Sequence, residues 1–333
     1  MKLKLCYFSR CKEEFQMNST NSTDSFDKGF YLVAYNSLGN KNYLILALGI
    51  IYLITLLCNF TLLAIILMNS SLQNPKFLAV FNLAVVDISI NSVIIPQMVP
   101  VFVFNLNHIS FESCFSQMFF MHFFGDMESF SLALLAYDRL IAICFPLRYP
   151  TMNTNVRMVL IIASLWCLVF LIELYPVALA SGLSYCRSRV VPSCCCEHGP
   201  VYNLACGDIS YNKRLALAKT LVVLLGPLTF IICSYVIVVV AVLRIASPTQ
   251  CWKAFNTCLT HMILVLIYYL PIILAYILGN LKLLQSADLY TAGLTVCVTL
   301  PAMLNPIIYS LKTEELRDKL LKFIKPQKVS NTV

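Results

Sequence analysis

The sequence predicts an all-α membrane protein in which seven transmembrane helices form one bundle. The chain has 333 residues, of which 59% are hydrophobic and only 12% are charged, whereas a soluble domain has about 25% charged residues. Seven apolar windows alternate with polar segments, and each window is long enough for a spanning helix, which needs roughly 20 residues. The windows are 43–68, 77–104, 119–144, 158–180, 215–243, 255–278 and 289–311.

The distribution of positive charge predicts the orientation of this bundle. The net charge is +8, and the basic residues gather in alternate loops and at the C-terminus, at Lys76, Arg148, Arg157, Arg244, Lys253 and 312–328. Because basic loops face the cytoplasm, the N-terminus should lie outside the cell. We expect an extracellular tail at 1–42, a seven-helix domain at 43–311 and a cytoplasmic tail at 312–333, in a multi-pass plasma-membrane protein. The excess positive charge is explained by the cytoplasmic position of the basic loops and by their contact with anionic membrane lipids. We therefore expect no nucleic-acid partner.

The N-terminal tail carries two adjacent sites for N-glycosylation. Asn18 and Asn21 each begin an Asn-Ser-Thr triplet in a segment that is predicted to be extracellular. The tail is otherwise polar, and we expect it to be irregular. Its first sixteen residues differ from the rest, so Met17 is an alternative start to Met1. The tail has no apolar signal-peptide core, and we expect the first helix to direct membrane insertion.

The third window ends in the stretch LALLAYDRLIAICFPLRYP at 132–150, where Asp138 and Arg139 stand side by side. Charged residues near a membrane are costly, which favours a functional role for the pair. The alternative is that Arg139 only extends to the membrane surface as a boundary residue. The stretch resembles the MAYDRYVAICxPLxY signature of the odorant receptors, a group of rhodopsin-like G-protein-coupled receptors. It departs from that signature at Leu135, Leu140 and Ile141.

Further motifs extend this resemblance in order along the chain. KAFNTC at 253–258, with His261 close behind, is similar to the odorant-receptor string KAFSTCxSH, and the last window contains an NPxxY element. The resemblance assigns roles in G-protein coupling or activation to Asp138, Arg139, Tyr235, Lys253, His261, Asn305, Pro306 and Tyr309.

The resemblance implies a rhodopsin-like fold and the function of an odorant receptor, with an outer loop most like that of the fish-like, or class I, branch. Such a receptor binds a small odorant within the bundle and activates a stimulatory, olfactory-type heterotrimeric G protein, which raises cyclic AMP in the cilia of olfactory sensory neurons. After the seventh window, the segment 313–324 predicts a short amphipathic helix on the membrane surface. Its apolar face consists of Leu316, Leu320 and Phe323.

Four polar residues within the windows should face the bundle interior, since a carboxylate at mid-membrane costs several kcal/mol unless it is paired or solvated. They are Asn59, Asp87, Glu128 and Asn305. By resemblance, Asn59, Asp87 and Asn305 belong to an interior network near a sodium site, and odorant receptors have an acid at the place of Glu128. Our hypothesis is that Asp87 and Glu128 share a sodium ion or a proton. The alternative is a static network with neutral acids. We expect no other metal and no cofactor.

The outer loop at 181–213 is rich in cysteine, with Cys186, Cys194, Cys195, Cys196 and Cys206. An extracellular position permits disulfides. The resemblance implies that Cys196 pairs with Cys114 and that Cys186 pairs with Cys206. Because three cysteines are adjacent, the partner of Cys114 stays open among them. A zinc site that includes His198 is the alternative interpretation of the cluster.

The candidate ligand-binding residues follow from helical spacing together with the resemblance, and they are Met121, His122, Gly125, Asp126, Lys219, Val223, Ile272 and Tyr276. Lys219 lies in the outer half of the fifth window. A buried ammonium group needs a partner, which is either Asp126 or an acidic odorant, unless Lys219 extends to the outer surface instead. Glu173, near the outer end of the fourth window, receives no role.

Other classes of membrane protein fit the sequence less well. A non-olfactory rhodopsin-like receptor for a small ligand should lack the KAFNTC string and the additional outer-loop cysteines. A retinal protein needs a lysine in the seventh window, which has none. A transporter should show internal repeats, and an enzyme should show a nucleophile–base pair or a metal cluster within the membrane. The sequence shows neither pattern, and we expect no enzyme activity.

Overall fold

Seven long helices make up most of the part of the chain that the structure describes. The structure, a computed structural model, describes residues 29–33, 35, 41–104, 106–186, 188–244, 248–280 and 287–324. Each predicted window overlaps one long helix, which confirms the predicted seven-helix bundle. The helices are α1 Lys41–Met68, α2 Pro75–Val103, α3 Phe111–Cys144, α4 Asn155–Ser181, α5 Ser210–Leu243, α6 Pro248–Asn280 and α7 Ala287–Lys312. A shorter helix, α8 Glu314–Ile324, follows them.

Six of the seven long helices are long and apolar enough to cross a membrane. The exception is α3, which has 34 residues but carries charged side chains at Asp126, Glu128, Asp138 and Arg139. Because α3 contacts α2, α4, α5 and α6, it lies inside the bundle, where its polar residues are shielded from lipid. The outward faces of the other helices are apolar, as Leu160 and Leu171 of α4 show, and such faces suit contact with lipid.

Side-chain caps explain why some helices begin before the apolar windows. The Asn74 side chain accepts a hydrogen bond from the backbone N–H of Phe77 at the start of α2, and Ser110 caps α3 through Ser113. These bonds satisfy backbone donors that have no partner within the helix. As a result α3 begins at Phe111, eight residues before the predicted window. The apolar window begins later than the helix, because polar residues in this turn lower the local hydropathy without ending the helix.

The N-terminal tail is not wholly irregular, contrary to the prediction. Strand β1, Gly29–Leu32, pairs antiparallel with β2, His108–Ser110, and parallel with β3, Val190–Val191 of the outer loop. The Phe30 ring contacts the rings of Phe111 and Tyr185, with centroids 4.8 and 5.1 Å apart. A side chain at position 29 would collide with the Ile109 carbonyl oxygen, so this pairing requires glycine. The three-stranded sheet therefore covers the outer end of the bundle.

The remaining predicted tail features lie outside the described residues. These are the glycosylation sites Asn18 and Asn21 and the alternative start Met17.

Hydrogen bonds between polar side chains connect the helices inside the bundle. The indole N–H of Trp166 on α4 donates to Asn82 Oδ1 of α2 at 2.8 Å. The Asn82 amide in turn donates to the Ser131 hydroxyl of α3 at 2.8 Å. At the inner end, Leu316 of α8 is buried against the bundle. These contacts fix the packing of the helices at mid-bundle and at the inner end.

Candidate functional site

A cavity of about 300 Å³ lies in the helix bundle under the outer loop. Its lining includes seven of the eight predicted ligand-binding residues: Met121, His122, Gly125, Asp126, Lys219, Val223 and Ile272. The side chain of the eighth, Tyr276, lies outside the described residues. Loop residues that were not predicted also line the cavity, namely Cys194, Cys195 and Glu197. The size is at the lower end of the range for small-molecule sites, and the role of these residues in ligand binding stays a prediction.

The Lys219 ammonium group is held between two carboxylates. Its Nζ lies 2.6 Å from Glu173 Oε1 and 3.3 Å from Asp126 Oδ2. Only 6% of the Lys219 side chain is exposed, so the lysine does not extend to the outer surface. Asp126 is the internal partner that the sequence suggested. Glu173 is a partner that sequence reasoning missed, although a buried acid on a largely lipid-facing helix was a signal that it needed a cation.

Two histidines and a tyrosine form a stack between α3 and the outer loop. The rings of His122 and His198 have centroids 4.7 Å apart, and the Tyr202 ring lies 5.4 Å from His198. Burial, together with the nearby Lys219 ammonium group, lowers the pKa of His198 to about 3. The imidazole of His198 is therefore neutral at physiological pH. Its position under the loop makes it part of the cover of the cavity.

Disulfides fix the outer loop in the pattern that the resemblance implied. Cys114 is bonded to Cys196, and Cys186 to Cys206. In the structure, Cys196 rather than Cys194 or Cys195 is the disulfide partner of Cys114. Cys194 and Cys195 are buried free thiols whose sulfur atoms lie 3.4 Å apart. The other three loop cysteines are disulfide-bonded, and the described residues contain no group of three or more His, Cys, Asp or Glu side chains placed to hold a metal ion.

The predicted polar network lies at the middle of the bundle. The Asn305 amide donates to both carboxylate oxygens of Asp87, at 3.1 and 3.2 Å. The Asn59 amide donates to the Ala302 carbonyl oxygen at 3.0 Å, which joins α1 to α7. Glu128 is completely buried, and neither of its carboxyl oxygens has a hydrogen-bond partner among the residues that the structure describes. The four predicted network residues are thus brought into the interior, with Glu128 left unsatisfied.

Asp138 and Arg139 meet at the inner end of α3. Arg139 Nη2 lies 3.4 Å from Asp138 Oδ2, and the arginine side chain is only 13% exposed. Asp138 Oδ1 also accepts hydrogen bonds from the Tyr149 hydroxyl at 2.7 Å and from the Asn153 amide at 2.9 Å. A side chain this deeply buried is not a boundary residue at the membrane surface. The contact therefore holds Arg139 inside the bundle.

A second inner contact joins α6 to its neighbours. His261 Nδ1 lies 2.6 Å from the Tyr235 hydroxyl of α5, and His261 Nε2 lies 3.1 Å from the Leu132 carbonyl oxygen of α3. Tyr309 is buried close by, in the same inner cluster. Lys253 lies in α6, and its side chain is outside the described residues. Pro306 is buried within α7, one residue after Asn305.

The fold is that of a rhodopsin-like seven-helix receptor. It matches the crystal structure of squid rhodopsin with a TM-score of 0.69 over 88% of this chain and 90% of that one, at 18% sequence identity. A family model described as olfactory receptor matches residues 48–327. Similar relatives include olfactory receptor 52K1 of Homo sapiens, 34% identical over 92% of this chain and 98% of the relative. Olfactory receptor 1f45 of Rattus norvegicus is 32% identical, over 92% and 97%.

The chain belongs to the olfactory receptor family. It is an odorant receptor and a multi-pass protein of the plasma membrane, and it is not an enzyme. Its partners are accordingly an odorant and a G protein. Assignment to the fish-like branch stays a prediction.

Proposed function

We propose that this receptor binds a small odorant in the cavity beneath the outer loop and activates a stimulatory, olfactory-type G protein, which raises cyclic AMP. The observation that supports this proposal is that one helix serves both sites. Asp126 lines the cavity, and Arg139 lies at the inner end of the same α3 helix. Thirteen residues separate them, which is roughly 20 Å of helix. A change of α3 or of its neighbours at the cavity can therefore reach the inner site directly.

The cavity also contacts α6. We propose that this helix is displaced outward when the receptor is activated. Tyr268 and Ile272 line it, and the Tyr268 hydroxyl donates to the Gly125 carbonyl oxygen of α3 at 2.9 Å. Pro271 lies between these two residues and removes a backbone donor from α6, which permits a bend there. A ligand that favours a different position of Tyr268 or Ile272 would shift the population of α6 conformations. The cavity side of α6 is thus the expected point at which ligand binding acts.

We assign the contacts at the inner end of the bundle to the resting conformation of the receptor. Arg139 is paired with Asp138, and His261 joins α6 to α5 and α3. Outward displacement of α6 would break the His261 contacts and release Arg139 towards the cytoplasm. Tyr235 and Tyr309 are close enough to the same cluster to fill the space that α6 leaves. The mechanism is a population shift between these two arrangements.

The test is cyclic AMP accumulation in cells that express the receptor with an olfactory-type G protein, challenged with acidic, basic, neutral and steroid-like odorants. We expect a concentration-dependent response that Arg139→Ala abolishes at equal surface expression. An Arg148→Ala variant is the matched control, because Arg148 lies outside the helix bundle in an exposed loop. A response that survives Arg139→Ala would contradict the mechanism. Silence across the panel, with normal surface expression and a working control receptor, would count against odorant-driven stimulatory coupling.

The polar network fits a single sodium ion. Glu128 has two buried carboxylate oxygens without a partner, and Asn59 Oδ1 and Asn91 Oδ1 are also unpartnered. Carboxylate and amide oxygens are suitable ligands for a hard cation. We propose that Asp87 and Glu128 hold the ion with help from Asn59, and that the ion supplies positive charge to the interior.

Sodium dependence of the response in membrane preparations tests this proposal. Replacement of sodium chloride by potassium chloride should change the ligand potency of the wild type and leave that of Asp87→Asn unchanged. Equal potency of the wild type in both salts would overturn it.

A further inference from the structure

The ionisable groups that line the cavity are mostly carboxyl groups. Asp126, Glu128 and Glu197 contribute carboxyl groups, and Lys219 is the one lysine or arginine among the described lining residues. The class of ligand that this lining recognises goes one step beyond the proposed function and depends on it. An acidic odorant would need a cation that is free to bind it. Lys219 is the candidate for this cation.

Lys219 is already neutralised within the chain. Its Nζ contacts Glu173 at 2.6 Å and Asp126 at 3.3 Å, and Glu173 is completely buried. An anionic ligand would have to share this ammonium group with two carboxylates that already neutralise it, or displace one of them and leave it buried without a cation. It would also lie beside the remaining carboxyl groups of the lining. Breaking a buried ion pair in this way is strongly unfavourable, so the cavity disfavours acids.

The unused hydrogen-bonding groups of the cavity include the carboxyl group of Glu128. Both of its oxygens are buried without a partner among the described residues, although Glu128 lines the cavity. The Asn305 amide, which lies near Glu128, donates its hydrogen bonds to Asp87. The lining nitrogen His122 Nε2 is also buried and unpartnered. A buried carboxyl group without a donor is costly, and a charged N–H donor is its most favourable partner.

We propose that the cavity selects a small aliphatic amine in its protonated form, whose ammonium group donates to Glu128 while Asp126 adds negative charge nearby. The apolar part of the ligand would contact the hydrophobic lining residues Ile94, Val223, Leu224, Ile272 and Val298. A cavity of about 300 Å³ corresponds to the liquid volume of roughly ten water molecules. The ligand is therefore small, such as an alkylamine with a chain of about six carbons.

The first test compares hexylamine, hexanoic acid and hexan-1-ol, which share one carbon chain and differ in the polar group. We expect hexylamine to raise cyclic AMP with an EC50 at least tenfold below that of the alcohol, about 1.4 kcal/mol, and hexanoic acid to be the weakest. A lower EC50 for the acid or the alcohol, abolished by Arg139→Ala, would overturn the amine assignment and leave receptor function intact. Silence of all three probes and of the broader odorant panel would count against both.

Substitutions then identify the residue that binds the ligand ammonium group. Glu128→Gln keeps the size of the side chain and removes its charge, so the hexylamine EC50 should rise tenfold or more while the alcohol EC50 changes less than twofold. Glu112→Gln is the matched control, because Glu112 is an exposed acid in the first turn of the same α3 helix and is not among the lining residues; both EC50 values should stay within twofold of the wild type. Equal shifts for amine and alcohol in Glu128→Gln would contradict the assignment. If that variant fails to reach the surface, Glu128→Asp, which keeps a carboxyl group but withdraws it by one methylene, should raise the hexylamine EC50 by more than the alcohol EC50.

A sodium ion and the ligand ammonium group are both monovalent cations that would contact Glu128. Their effects on the response can be distinguished by changing the salt. Hexylamine responses are repeated in membranes with potassium in place of sodium. Direct competition for Glu128 predicts that removal of sodium lowers the hexylamine EC50 by more than it changes the hexan-1-ol EC50. An amine preference that disappears with Lys219→Gln rather than with Glu128→Gln would assign recognition to the lysine and overturn the proposal.

Discussion

The Tyr235 hydroxyl donates a hydrogen bond to His261 Nδ1 across 2.6 Å. The direction of this bond follows from the other ring nitrogen, because His261 Nε2 contacts the Leu132 carbonyl oxygen at 3.1 Å and a carbonyl oxygen can only accept. Nε2 therefore carries the hydrogen and Nδ1 accepts from Tyr235. One neutral histidine thus joins α6 to both α5 and α3 at the inner end of the bundle.

Replacement of this histidine should raise basal activity. His261→Phe keeps a ring beside Tyr235, whose own ring is stacked on His261 at 5.5 Å, but it removes both hydrogen bonds. A weakening of the resting state by about 1.4 kcal/mol, within the range for buried hydrogen bonds, would raise the ratio of active to resting receptor about tenfold. The measurement is cyclic AMP without ligand, normalised to surface expression.

The control for this substitution is Tyr175→Phe. Tyr175 is exposed on α4 and shares a hydrogen bond of 3.0 Å with Tyr211 on α5, far from the inner cluster. Basal cyclic AMP should stay at the wild-type level in this variant. An unchanged or lower basal level in His261→Phe would mean that the contact does not hold the resting state.

The Lys219 ion pairs should matter for stability as a unit. Lys219→Met leaves Glu173 and Asp126 buried without a cation, and loss of one partner of a buried pair costs roughly 3–5 kcal/mol. We expect a large drop in the thermal unfolding midpoint of the purified receptor in detergent. Addition of Asp126→Asn and Glu173→Gln to Lys219→Met should recover part of that loss. Additive losses in the triple variant would show that the three groups do not interact.

The adjacent cysteines should differ sharply in their tolerance to serine. Cys196 is bonded to Cys114, which is 82 residues away in sequence, and removal of a native disulfide commonly costs 2–5 kcal/mol. Cys196→Ser and Cys114→Ser should therefore lose most surface expression. Cys194→Ser and Cys195→Ser remove free thiols and should be expressed close to the wild-type level. If Cys195→Ser instead behaved like Cys114→Ser, the disulfide partner would be Cys195.

Acid should destabilise the receptor through His198. The pKa of His198 is about 3 in the fold, because of burial and then of the Lys219 ammonium group, against about 6.5 in the unfolded chain. The unfolded state binds more protons between these values, so stability is full above pH 6.5 and falls as the pH decreases. From pH 7.5 to 5 the loss is about 2 kcal/mol.

A phenylalanine at this position should remove that loss. His198→Phe keeps a ring between His122 and Tyr202 but cannot take up a proton. Its thermal midpoint should fall less between pH 7.5 and 5 than that of the wild type. Identical pH dependence in His198→Phe and the wild type would contradict this explanation.

The long helices were predictable from the sequence because an apolar stretch of membrane-spanning length has few other stable structures. The β1–β2 and β1–β3 pairings were not predictable, since they join the tail to two distant loops through a few residues. The ion pair between Glu173 and Lys219 was missed for a similar reason. The two residues are 46 positions apart on different helices. A hydropathy pattern does not predict which faces of two helices pack against each other, so the pair could not be inferred from it. Lys219 and Asp126 were found because helical spacing placed both near the outer half of the bundle.

The most direct test of the central claim is guanine-nucleotide exchange on a purified stimulatory G protein, driven by this receptor in lipid nanodiscs. Hexylamine should accelerate exchange by the wild-type receptor. Arg139→Ala, with ligand binding retained, should reduce the rate to that of empty nanodiscs. Equal acceleration by Arg139→Ala, or no acceleration by a receptor that binds the ligand, would contradict an odorant receptor that acts through Arg139 on a stimulatory G protein.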